Sequence, residues 1–171
     1  MKINKNLVLV GMMGAGKSVI GQLLARKLKF EHLDIDKIVE NKTRMKISEI
    51  FKEKGENYFR NLEEKNTLKI LKKNNCVISL GGGGFLNEII RKEIQKSSIS
   101  IWLNWDHKTL INRIRKSKKK RPIVLNLNDN KLKNLMTNRS KTYAKADYII
   151  KCENTDKKEI VKKIIKIYEN L

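Results

Sequence analysis

The stretch GMMGAGKS, Gly11 to Ser18, constrains this chain more than any other. It fits the pattern G-x-x-x-x-G-K-[ST] in full. It also stands in the right context, after the apolar run LVLVG (7–11) and before a helical pattern over 16–29. Glycines at 11, 14 and 16 let the loop turn its N–H groups inward on an anion, and the helix that follows presents its positive end to the same charge. Such a loop holds the phosphates of a nucleoside triphosphate. Gly14, Ala15, Gly16, Lys17, Ser18 and Val19 are the expected phosphate-binding residues. The Lys17 ammonium reaches the β- and γ-phosphates, and the Ser18 hydroxyl ligates Mg²⁺.

The rest of the chain supplies a matching architecture. Strand-like runs at 7–11, 30–34, 76–80, 98–103 and 147–151 alternate with helical patterns at 16–29, 47–73 (two helices meeting near Gly55), 87–96, 106–117, 129–145 and 156–170. This order predicts one doubly wound α/β domain over residues 1–171, with a five-stranded parallel sheet and ligands at the carboxyl ends of its strands. Two segments lie outside that scheme: a helical insertion over 36–73 and the basic, polar stretch 116–129, a candidate lid that carries the only proline, Pro122.

Composition narrows the function further. A formal charge of +21 suggests nucleic acid, but the basic residues are mostly lysine and are spread along the whole chain. Attraction of anionic small substrates fits that spread better than a nucleic-acid surface. Only eight of the cations are arginine, so an arginine can mark a place that needs a planar fork. No apolar run is long enough to span a membrane, and a leader peptide cut near the amino terminus would destroy the phosphate loop, so a cytoplasmic location is expected. Cys76 and Cys152 form no disulfide framework and lack metal-ligand spacing. Size and the absence of an N-K-x-D element argue for a small kinase rather than a GTP switch or a motor.

A magnesium site in this setting needs a carboxylate, and the strand CVISL, which runs into SLGGGGF (79–85), offers none. The second strand does. In HLDID, Asp34 and Asp36 fall on one side of an extended segment at the strand's carboxyl end, where one can face Mg²⁺ through water and the other an acceptor hydroxyl. The four glycines at 81–84 lack the lysine and hydroxyl of a phosphate loop, and read as the floor of an acceptor site that a small polar substrate approaches closely.

Taken in order, GMMGAGKS, DID, FRNLE (59–63), SLGGGG, RP (121–122) and LMTNRSKTY (135–143) resemble the shikimate kinase family, small phosphate-loop kinases with a nucleoside monophosphate kinase-like fold. The resemblance covers nearly the whole chain. It implies ATP-dependent phosphorylation of the 3-hydroxyl of shikimate in aromatic amino-acid biosynthesis, with Mg²⁺ as cofactor; a monomer acting on small molecules is the default expectation. By the same resemblance Asp36 binds the substrate hydroxyls and serves as base or orienter, and Asp34 sits near the magnesium. Arg60 and Arg139 grip the substrate carboxylate, Gly82 and Gly83 contact substrate through backbone, and Arg121 reaches the ATP phosphates from the lid as a catalytic residue beside Lys17. The lysine-rich run before Arg121 departs from the family pattern and leaves the adenine contact open, with Arg113 the candidate. A gluconate-type kinase is the near rival, and a nucleotide-dependent interaction module the distant one.

Overall fold

The computed structural model describes residues 5–117, 122–124 and 126–171. Five parallel strands form one sheet in the order β2-β3-β1-β4-β5. These are β1 (Asn6–Val10), β2 (Glu31–Asp34), β3 (Cys76–Ser79), β4 (Ser98–Asn104) and β5 (Tyr148–Lys151). The central strands β1 and β3 are buried along their whole length, as a sheet covered on both faces requires, while the edge strands β2 and β5 are partly exposed. Leu7 and Leu9 of β1 are fully buried, each contributing about 2 kcal/mol of hydrophobic stabilisation.

The eight α-helices among the described residues are α1 (Lys17–Leu28), α2 (Ile35–Thr43), α3 (Ile47–Glu53), α4 (Gly55–Leu71), α5 (Glu88–Ser97), α6 (His107–Lys116), α7 (Asp129–Tyr143) and α8 (Lys157–Glu169). Each strand falls within two residues of its sequence expectation. The break between α3 and α4 falls at Gly55, whose φ of 84° lies in the left-handed region. Gly84–Leu86 and Pro122–Val124 add short 3₁₀ turns. No helix among the described residues is long and apolar enough to cross a membrane.

One expectation needs correction. Residues 34–36 are not a continuous extended segment: β2 ends at Asp34, and Asp36 lies in the first turn of α2. Asp34 itself caps that helix, accepting from Lys37 N at 3.3 Å, and Ile35 and Val39 bury one face of α2 at helical spacing. The turn begins there because an aspartate at that position satisfies an orphan helix N–H, which an extended chain would leave to water.

Candidate active site

The phosphate loop leaves the central strand β1 and turns straight into α1. Gly14 and Gly16 take φ values of 83° and 87°, accessible at little cost only without a side chain. Gly16 is the N-cap of α1, and since it has no side chain to cap the helix, the first N–H groups of α1 depend on the loop and on any anion it holds. The Lys17 ammonium is buried and donates to Gly11 O at 2.7 Å and Met12 O at 2.9 Å, which lays its stem along the inside of the loop.

The carboxylate that β3 lacks stands one strand away. Asp34 of β2 pairs in register with Ser79 of β3, and its Oδ2 accepts from the Ser18 hydroxyl at 2.5 Å. Ser79 instead braces the start of α1. Its hydroxyl donates to Lys17 O at 3.0 Å and receives His32 Nε2 at 3.0 Å. Since the Ser79 proton goes to the carbonyl, His32 supplies the proton of the second bond. Burial lowers the His32 pKa, with Asp34 opposing and Lys37 adding to the shift.

Across the cavity, α4 carries the acceptor-side charges. Arg60 donates from Nη1 to Glu63 Oε2 at 2.7 Å and from Nη2 to Glu56 Oε1 at 3.0 Å, with its guanidinium over the Phe59 ring. Burial pushes the Glu63 carboxyl above its usual range and Asp36 adds to the rise, while Arg60 and Arg139 oppose it. Burial alone would lower the Arg60 pKa, but the Glu63 and Glu56 carboxylates raise it. Glu63 Oε1 and Arg139 Nε are buried without a hydrogen-bond partner among the described residues.

The glycines after β3 differ in kind from those of the phosphate loop: none of Gly81–Gly84 has a positive φ. What they need is absence of bulk. A Cβ at Gly81 would collide with Glu63 Oε1, and one at Gly83 would stand 2.5 Å from Arg60 Nη1. The Gly82 carbonyl accepts from Tyr143 Oη and, at 3.4 Å, from Arg139 Nη1, so α7 is latched to this turn. Met12 of the phosphate loop joins the same knot, its sulfur 3.9 Å from Arg139 Nη1 and 3.8 Å from Tyr143 Oη.

One cavity of about 700 Å³ gathers most of these groups. Gly14, Gly16, Lys17, Ser18, Val19, Asp34, Asp36, Arg60, Glu63, Gly82 and Gly83 line it, with Pro122 and Ile123 of the expected lid. Ala15 and Arg139 do not line it: Ala15 is buried in the loop, and Arg139 contacts the acceptor floor through Gly82. Arg121 lies outside the described residues. A second cavity of about 510 Å³ adjoins the loop and is lined by Gly14, Thr109, Asn112, Arg113, Lys116 and Ser117.

Sequence reasoning misses two residues here. Glu63 is visible inside FRNLE, but its burial depends on Gly81 giving it room. Trp105 belongs to no motif, yet its indole donates to Ala15 O at 3.0 Å and lies under the Arg113 guanidinium.

The Shikimate kinase family profile matches residues 13–169. Shikimate kinase from Persephonella marina is 41% identical, covering 94% of this chain and 97% of that protein. The Thermodesulfovibrio yellowstonii enzyme of that name is 36% identical over 98% of this chain and 96% of its own length. Among solved structures, shikimate kinase from Acinetobacter baumannii in complex with shikimate superposes with a TM-score of 0.92 at 28% identity, covering 99% of this chain and 95% of that one. The chain belongs to the shikimate kinase family.

Proposed function

We propose that this protein transfers the γ-phosphoryl group of ATP to the 3-hydroxyl of shikimate, forming shikimate 3-phosphate and ADP on the route to the aromatic amino acids. The observation that carries the reading is the shared cavity, in which the phosphate loop, the carboxylates of Asp34 and Asp36 and an arginine of the insertion face one another. The relative from Acinetobacter baumannii, solved with shikimate, supports the choice of acceptor.

In this reading the loop residues Gly14–Val19 hold the triphosphate, and Lys17 neutralises charge on its outer phosphates. Ser18 and Asp34 offer hard oxygen donors beside the loop, a set that fits Mg²⁺, and these two residues would hold it. When bound, the ion supplies charge neutralisation at the phosphates. Asp36 orients the acceptor hydroxyl and takes its proton as the new O–P bond forms and the bond to the departing ADP breaks. Arg60 presents its fork to the substrate carboxylate, and Gly82 and Gly83 admit the ring closely.

Arg139 contributes charge from behind Gly82 and steadies the floor. Arg121 would act on the phosphates from 116–129, the expected lid. The protein works in the cytoplasm as a monomer on two small molecules.

Nuclear magnetic resonance of the product tests the chemistry: phosphorus coupling should appear at the proton on carbon 3 of the ring. Phosphate on another oxygen, or ATP hydrolysis without a phosphorylated acid, overturns the assignment.

A further inference from the structure

We propose that Tyr143 is a positioning residue for the acceptor, its hydroxyl locking the Gly82–Gly83 peptide in the orientation that turns the Gly83 N–H towards the acceptor cavity. The inference rests on the acceptor reading above. A peptide unit is planar and trans, so its carbonyl and its N–H point in opposite directions. The Gly82 carbonyl faces α7, where it accepts from Tyr143 Oη and, at 3.4 Å, from Arg139 Nη1. The Gly83 N–H of the same unit therefore points away from α7. Gly83 is buried and lines the larger cavity, and its N–H finds no acceptor among the described residues. A buried N–H without a partner is rare, and one on a cavity wall is a donor kept for a ligand.

The glycines make a lock necessary. Gly81–Gly84 is a β-turn closed by Gly84 N donating to Gly81 O at 3.0 Å, and Gly82–Gly83 is its central peptide. Gly83, at φ −101° and ψ −14°, has the third-position conformation of a type I turn. The type II turn keeps the same closing bond but turns the central peptide over, which requires a positive φ at the third position. Glycine is the residue that favours that form. The turn is thus free to flip at the unit that carries the donor, and the closing bond cannot choose between the two states.

The choice falls to α7. Arg139 and Tyr143 stand one turn apart on one face of the helix, so both reach the same carbonyl and use both of its lone pairs. The Tyr143 ring is buried against Trp102 of β4, with centroids 5.9 Å apart, which fixes where its hydroxyl stands. Burial pushes the Tyr143 pKa up to about 12, with the Arg139 charge opposing, so the hydroxyl keeps its proton and donates at neutral pH.

Tyr143→Phe removes the oxygen and keeps the ring against Trp102. Steady-state kinetics should show a KM for shikimate raised by about 5-fold, with kcat and the KM for ATP close to wild type. In ¹⁵N-labelled protein without substrate, the Gly83 amide should give one sharp signal in the wild type and a broadened or doubled one in Tyr143→Phe. An unchanged KM for shikimate, an equal rise in both KM values, or identical Gly83 signals in the two proteins overturns the proposal. A wild-type protein that does not turn over shikimate overturns the acceptor reading instead, and the amide comparison, made without substrate, still decides the lock.

Discussion

The Ser18 hydroxyl donates to Asp34 Oδ2 at 2.5 Å, tying the first turn of α1 to the end of β2. Two oxygens suited to a hard cation thus meet across neighbouring elements, with Asp34 standing in for the carboxylate absent from β3. Asp34→Asn keeps the shape and a capping oxygen but removes the charge. The Mg²⁺ concentration needed for half-maximal turnover should rise by roughly 10–100-fold. A magnesium titration with unchanged midpoint contradicts the assignment.

Asp36 faces the same cavity from α2, in the turn that follows Asp34. Asp36→Asn should lower kcat by about 10²–10⁴-fold through loss of the proton acceptor, with ATP affinity close to wild type. Steady-state rates together with ATP titration check both halves. A variant with near-normal kcat removes Asp36 from the base or orienter role.

The glycine turn permits a positional test. At Gly83 an added methyl meets the Arg60 guanidinium at 2.5–2.7 Å, whereas at Gly82 it meets Met13 N of the phosphate loop at 3.2 Å. Gly83→Ala should therefore raise the KM for shikimate and leave that for ATP nearly unchanged, while Gly82→Ala should disturb both. If Gly83→Ala weakens ATP as strongly as shikimate, the division between acceptor floor and phosphate loop is wrong.

His32 sets a pH dependence. Its folded pKa lies below the ordinary 6.5 because burial disfavours the imidazolium. The unfolded chain then binds the proton more readily, so the stability from the neutral ring is complete above the unfolded value and is lost as pH falls through the folded one. His32→Gln keeps a donor for Ser79 without the titration. Its melting temperature should fall less than that of wild type on acidification below about pH 6.5. Parallel curves contradict this origin.

The strands and most helices are legible because parallel strands buried on both faces read as unbroken apolar runs, as in LVLV of β1. The start of α2 is not, because i, i+2 carboxylates fit an extended strand as well as a strand that ends in a helix cap. The cap at Asp34, with Ile35 and Val39 behind it, is the signal available. Asp34, Asp36, Arg60 and the glycines can be found through ordered motifs. What Glu63 does inside FRNLE is not legible there, and Trp105 belongs to no motif, since both depend on contacts with Gly81 and Ala15 that lie far from them in the chain. Arg139 stands out in its motif as an arginine, but its place behind Gly82 comes from the packing of α7.

The central claim concerns the acceptor. A coupled ADP-release assay on the pure, folded protein should compare shikimate, gluconate and nucleoside monophosphates side by side at saturating Mg·ATP. The account predicts turnover with shikimate and a kcat/KM for it far above those for the other acceptors. Absence of shikimate-dependent ADP release, or a higher kcat/KM with gluconate or a nucleoside monophosphate, would contradict it.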